Sequence, residues 1–466
     1  MKLRSSLIAA FAVFSLVAAL LLAGCGGSGT TTTSAVQKAT VNVSLSDPPT
    51  CASSTGGAYT SIFVTIKDVQ IHTSSTAGPN DPGWVDLTPN LSSAPKQVDL
   101  LGQADNQCFL ASLGSGTQIQ AGTYQQIRLI LSTTPVSGDA CGGSANCVKL
   151  SSNGSIQPLQ LSSEAQTGIK IPGPSIAGGN ITVGPGETKD LNIDFDGCAS
   201  IVVLTGNNQY RLKPVLHAGI VSTTSVSVNG KLVNQTTGQP IVGGKAVVAL
   251  EQKDSAGIDR VVMQTTANAD GTFVFCPVPS GQMFDVVAAA IDGSNVAYAA
   301  TVTTGVQAGN ALGNVPLYAA QAPALIDGTI TSASSSGAAV VDLTISALQQ
   351  ANSTTYTIPL PANVPPGGTA TLTTGPTTAT LTCAPNTDCG TYELAVPGAN
   401  PTIGAFSANP TYVPGAGTVN YTVEAQAFNP SQAGATFCSP SLQTTTVMVT
   451  AGQKAMATTI PFTNCQ

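Results

Sequence analysis

Between Ala39 and about Ser222 the chain alternates short apolar runs with clusters of Gly, Pro, Asn and Asp. In Val41-Asn-Val-Ser-Leu-Ser-Asp47 and Leu191-Asn-Ile-Asp-Phe-Asp196 every second side chain is apolar, the period of a strand with one face buried. Phe63-Val-Thr-Ile66 and Ile127-Arg-Leu-Ile-Leu131 are further β-rich runs of strand length. From Ser225 to about Tyr318 a second pattern begins, in which Asp270-Gly271 predicts a tight turn. Phe273 and Phe275 then share one core-facing side and Cys276 takes the other. From Pro323 to Gln466 come Thr- and Val-rich runs such as Ala338 to Ile345 and Val419 to Phe428, with turn clusters at Pro365-Pro-Gly-Gly368 and Asn409-Pro410. No window holds a 3.6-residue period long enough to demand a helix; the closest, Leu100 to Leu113, predicts a short helical turn. The pattern predicts an all-β chain of tandem β-sandwich domains, at 39–222, 223–320 and 321–466.

Composition narrows the function classes. Only 8% of the 466 residues are charged, against about 25% in an ordinary soluble domain. With 16 Lys and Arg in all, the chain lacks the cations that phosphate contacts require, so nucleic acid is excluded as a partner. Helix-favouring Glu, Lys and Arg are scarce, which argues against a helical protein. A hydrophobic content of 42% is enough for packed cores and argues against wholesale disorder.

The N-terminus sets the compartment. Lys2 and Arg4 precede an apolar run from Leu7 to Leu22, the layout of a secretory signal peptide. Leu22-Ala23-Gly24-Cys25 resembles the lipobox of bacterial lipoproteins. The resemblance implies that residues 1–24 are removed and that Cys25 carries the lipid, palmitate among its acyl chains. Residues 25–38 then form a tether, with Gly26 to Ser34 of flexible composition. Such a chain has the membrane as a partner through its anchor. Gly26 rather than Asp after the cysteine implies the cell outer membrane where a bacterium has two membranes.

Eleven cysteines are present. If the lipid consumes Cys25, ten remain, an even number that fits five disulfides in an oxidising compartment. Cys141 and Cys147 enclose five turn-forming residues, as do Cys383 and Cys389, so each pair is expected to close locally. Cys438 and Cys465 are then expected to pair. The three domains hold five, one and four cysteines, so full oxidation sends Cys276 to the first domain, with Cys51, Cys108 or Cys198 as partner. Cys51–Cys108 with Cys198–Cys276 is the favoured arrangement.

Eight short matches in order carry a resemblance over about 180 residues. They are Val43-Ser-Leu-Ser-Asp-Pro48, Val64 to His72, Trp84-Val-Asp-Leu87, Val98-Asp-Leu-Leu101, Ala121 to Arg128, Thr167-Gly-Ile-Lys170, Asp194-Phe-Asp196 and Tyr210-Arg-Leu-Lys-Pro214. This stretch resembles the bacterial family called domain of unknown function 4382, which implies a secreted or lipid-anchored domain of no established activity. Gly230-Lys-Leu-Val233, Gly238 to Val247, Thr265 to Phe275 and Val278-Pro-Ser-Gly281 resemble the carboxypeptidase regulatory-like module, a transthyretin-like β-sandwich. Related folds include carbohydrate-binding modules, so sugar binding is implied, with Tyr298 one of the few aromatics here. The last domain is expected to be an immunoglobulin-like or prealbumin-like sandwich.

The chain contains no Gly-x-Ser-x-Gly, no His-Glu-x-x-His and no P-loop. Its two histidines, His72 and His217, each follow a β-rich run and read as strand-end or surface residues. Asn192 to Gly197 mimics the start of a calcium loop, but the twelfth position, which should be acidic, is Val203. Asp194 and Asp196 therefore make a weak calcium candidate, and the plainer reading has them facing solvent or capping turns. No other metal site and no cofactor is expected. The sequence favours a non-catalytic, lipid-anchored cell-envelope protein for adhesion, scaffolding or ligand display, with polysaccharide or envelope proteins as candidate partners. The alternatives are a carbohydrate-binding accessory lipoprotein and a hydrolase whose site is assembled from ordinary Asp, Ser and Tyr residues.

Overall fold

Strands with one apolar face must bury it, and the computed structural model shows how each does so. It describes residues 37–46, 58–103, 111–161, 168–171, 176, 179–195, 197–204, 209–212, 216–221, 227–241, 245–254, 256–276, 278, 281–360, 371–378, 381–429, 432–436 and 438–465. Cys25, Cys51, Cys108 and Asp196 lie outside these residues, as does the side chain of Cys198. Strand accounts for 59% of the described residues and helix for 1%, so the fold is all-β, built of tandem β-sandwich domains. No described helix is long and apolar enough to cross a membrane.

In the first module the alternation works as read. Lys38–Ser46 turns Val41, Val43 and Leu45 into the core, and Thr188–Phe195 does the same with Leu191, Ile193 and Phe195. The two strands pair in parallel and are flanked by Ala111–Gln120 and Leu216–Val221 in a four-stranded sheet. Across the core lies a second sheet organised on Tyr59–His72, a 14-residue strand that pairs with Gln126–Leu131 and Cys147–Leu150. The window from Leu100 to Leu113 holds a 3-10 turn at Leu101–Gln103. Leu113 belongs to a strand instead, because its side chain drops into the core at 6% exposure.

The second module explains a run that periodicity could not resolve. Phe284–Ile291 is apolar at every position but Asp285, and Ala297–Val302 at every position but Thr301. Val286, Ala288 and Ala290 face the core of the second module, while Val287, Ala289, Ala300 and Val302 face the core of the third. This sheet is covered on both sides, which demands continuous apolar sequence and favours small side chains where two layers close on it. The Asp270-Gly271 turn forms, with Gly271 at φ 84° and the Asp270 side chain accepting from the Thr272 amide at 3.0 Å. A Cβ at Gly271 would sit 2.4 Å from the Leu232 carbonyl oxygen. Phe273 and Phe275 are both 2% exposed and meet edge to face at 5.9 Å.

The second and third modules share hydrogen bonds as well as a core. Ile258–Thr266 pairs in parallel with Thr354–Thr357, and Ala297–Val306 pairs in parallel with Thr402–Ala405. The stretch expected as one strand from Ala338 to Ile345 is divided. Gly337–Ala338 belongs to a five-stranded sheet and Asp342–Ala351 to the larger one. Between them the chain crosses over, with the Val341 amide donating to Thr374 Oγ1 at 2.9 Å.

Salt bridges cross both junctions. Arg211 of the first module pairs with Asp342, which is 4% exposed. Arg260 of the second grips Glu424 of the third in a two-pronged fork, Nη1 to Oε1 and Nη2 to Oε2, the latter at 2.9 Å. Disulfides join Cys141 to Cys147, Cys383 to Cys389 and Cys438 to Cys465. Cys276 is also disulfide-bonded.

Candidate functional site

The motif residues of the first module converge at one end of Tyr59–His72. Period-two spacing puts Asp68, Gln70 and His72 on one side of this strand, and Gln70 lies beside Arg128 in the antiparallel register with Gln126–Leu131. Val85–Asp86 pairs along the other edge and delivers Trp84. The Arg128 guanidinium stacks over the Trp84 ring at 4.1 Å. Its Nε donates to Gln70 Oε1 at 2.8 Å and its Nη1 to the Pro79 carbonyl at 2.7 Å. The other side of the cluster is closed by His72, whose ring centroid is 5.1 Å from that of Trp84. Gly168 makes room for the arginine stem, since a Cβ there would lie 2.6 Å from Arg128 Cδ.

Each polar group in this cluster is tied to another. Trp84 Nε1 donates to the Gly78 carbonyl at 2.9 Å. The His72 ring accepts from the Ser74 amide at Nδ1 (2.9 Å) and its Nε2 meets the Pro82 carbonyl at 3.0 Å, so the neutral ring protonated on Nε2 satisfies both. Asp68 accepts from Gln70 and Thr88. Burial, reinforced by the neighbouring Asp86 carboxyl, pushes the Asp68 carboxyl up to about 6. The arrangement clamps the 73–84 loop to the sheet. Its aromatic face is occupied by the protein's own cation, so the chemistry it performs is structural.

The predicted site residues are placed as follows. His72 ends its strand as expected, but it is 8% exposed and held by two partners, so it is no surface residue. His217 is the second residue of Leu216–Val221, opposite Asp194, and burial pushes its imidazole down to about 4. Asp194 is 5% exposed, which corrects the reading of it as solvent-facing. It accepts from Ser46 Oγ at 2.7 Å, and Asn192 Nδ2 donates to the same hydroxyl at 2.8 Å. The alternating Asp and Asn of this strand form a buried polar ladder against the parallel strand Lys38–Ser46. Among the described residues no group of three or more His, Cys, Asp or Glu could hold a metal ion. Tyr298 is 4% exposed and bonds to Asn234 and Asp292 through its hydroxyl, so it offers no platform for a sugar ring.

Two features went unread in the sequence. The Arg128–Trp84 stack joins residues that the motif matches named without giving them a role. The second feature is a group of acids, Glu251, Asp259 and Asp285, in the wall between the second and third modules. In sequence the three stand singly in separate strands.

Residues 38–214 match the family model described as domain of unknown function DUF4382. No curated protein sequence matches the chain. Among solved structures the chain is similar to the Bacillus anthracis TIE protein at 9% identity and a TM-score of 0.16, covering 91% of this chain and 51% of that one. It is also similar to GBS52, the minor pilin of Streptococcus agalactiae, at 9% identity and a TM-score of 0.17, covering 52% and 97%. A third is the shaft pilin SpaA from Lactobacillus rhamnosus GG, at 10% identity and a TM-score of 0.17, covering 61% and 98%. The chain thus spans about half the length of the first of these. Likeness at this level does not extend to function.

Proposed function

We propose that the chain is an exported, lipid-anchored cell-envelope protein with a non-catalytic scaffolding or adhesion role. The observation that carries this reading is the clamping of its modules. A shared double-faced sheet and the Arg211–Asp342 and Arg260–Glu424 pairs resist relative movement, and disulfides close loops within the first and third modules. Disulfides persist in oxidising compartments, which agrees with export. A clamped body suits a protein that must present or carry a partner, whereas an enzyme closing over a substrate needs a movable element. The lipid on Cys25, the outer membrane as destination and envelope proteins as partners complete the proposal.

Expression of the full chain in a bacterial host tests it. The wild type is expected in the membrane fraction and labelled by a palmitate analogue. Cys25→Ala is expected to lose the label and appear in the soluble envelope fraction. Retention of both label and membrane association by Cys25→Ala would overturn the anchor.

A further inference from the structure

The wall between the second and third modules buries carboxyl groups that neither the clamps nor the proposed role uses. Along Lys245–Lys253 the apolar residues Val247 and Ala249 are followed on the same face by Glu251, which lies opposite Asp285 in the neighbouring strand. Asp259 lies in register with Tyr356, in the parallel pairing that joins the two modules. Glu251 is 0% exposed and Asp259 1%. Oε1 of Glu251 and Oδ2 of Asp259 have no hydrogen-bond partner. The second Glu251 oxygen accepts from the Thr357 amide at 3.2 Å. Asp285 accepts from the Gly305 amide at 3.0 Å and from the Tyr356 hydroxyl.

The charges that face the group do not neutralise it. Lys253 shares the face of Glu251 and acts on Asp259 and Asp285 from a distance. Arg260 acts on Glu251 but is committed to Glu424 and Asp254. Two buried carboxylates with orphaned oxygens are costly as anions. As neutral acids they no longer bury charge, and the mutual repulsion disappears.

We propose that this cluster is a proton-charged clasp: Glu251 and Asp259 hold protons while Thr354–Thr357 is docked on Ile258–Thr266, and losing those protons at alkaline pH loosens the junction. Burial first and the Asp259 charge second push Glu251 well above the usual carboxylate range. Burial and then Asp285 push Asp259 up to about 7, with Lys253 acting in the opposite direction. In the unfolded chain both groups ionise near pH 4. Between about pH 4 and about pH 7 the folded state therefore binds more protons than the unfolded one, and the junction weakens as pH rises through that window. The clasp is tightest in acid. The inference rests on this geometry and is independent of the lipid anchor.

Hydrogen exchange on the whole oxidised chain, corrected for intrinsic rates, tests the clasp at about pH 5.5 and about pH 8.5. In the wild type, protection of the 354–357 amides is expected to fall by about tenfold or more with the rise in pH. Cys147–Leu150 in the first module, which pairs with the Tyr59–Phe63 end of its sheet and not with the Asp68 end, should hold its protection. Glu251→Gln and Asp259→Asn, which are neutral at both values, are each expected to shrink the fall to about threefold or less. Unchanged wild-type protection at 354–357 would overturn the proposal without any variant. So would an equal fall in the first module, or a full fall in both variants. Recovery of protection at alkaline pH on adding calcium would assign the cluster to a cation instead of protons, and would also overturn it.

Discussion

Tyr421→Ala is expected to lower the unfolding free energy by about 3–5 kcal/mol, the cost of deleting a large, fully buried aromatic. Tyr421 is 0% exposed, and its hydroxyl donates to the Pro397 carbonyl at 2.9 Å. The substitution leaves a cavity in the third core and strands that carbonyl. The same core includes Val287, Ala289, Ala300 and Val302 of the second module, so the loss should not stay local. Thermal unfolding followed by far-ultraviolet circular dichroism should show the second and third modules melting together at a lower temperature. Tyr421→Phe keeps the ring and forfeits one hydrogen bond, for a loss of about 1 kcal/mol. A third module that melts alone in Tyr421→Ala would mean the shared sheet does not couple the two.

Arg128→Ala is expected to cost about 3 kcal/mol in the first module. It removes a desolvated cation–π contact and charge-assisted hydrogen bonds to Gln70 and Pro79. It also removes a positive charge that interacts with Asp68, so that carboxyl should hold its proton to a still higher pH. Trp84 is the only tryptophan in the chain, which makes its fluorescence a selective reporter. Its emission should move to the red in the variant, and chemical denaturation read at that emission should reach its midpoint earlier. Arg128→Lys should recover little, because an ammonium cannot reproduce the planar fork or the stack. An unshifted midpoint in Arg128→Ala would show that the loop is held by something other than this cluster.

Much of the architecture was legible because strands with one wet face advertise themselves. Val41, Val43 and Leu45, and again Leu191, Ile193 and Phe195, read as core and are core. Phe273 and Phe275 follow the same rule one module later. The rule falls silent where both faces are covered. Val286–Ile291 is a continuous apolar run, and nothing in its period says that the second layer comes from a different module. The division between Ala338 and Asp342 was hidden for a related reason. A strand that changes sheets keeps its β-forming composition across the crossing.

The candidate cluster was half legible. Trp84, Arg128 and Gly168 all fall within motif matches, yet their meeting depends on the register of Tyr59–His72 against two other strands. No spacing along the chain encodes that register. The acids of the junction were harder still, since Glu251, Asp259 and Asp285 stand singly in sequence and come together only through strand pairing. Asp194 was misread because alternation with Leu191, Ile193 and Phe195 suggests a wet outer face. That face is a buried ladder in which Ser46 and Asn192 supply the partners water would have given.

The central claim is that this chain works outside the cytoplasm as a covalently closed, clamped body. Intact-mass and non-reducing peptide mapping of the protein recovered from membranes tests it most directly. The account predicts a lipid on Cys25, the Cys141–Cys147, Cys383–Cys389 and Cys438–Cys465 pairs, Cys276 in a disulfide, and no free thiol. An unlipidated Cys25 together with free thiols at Cys276 or at any of those pairs would contradict it.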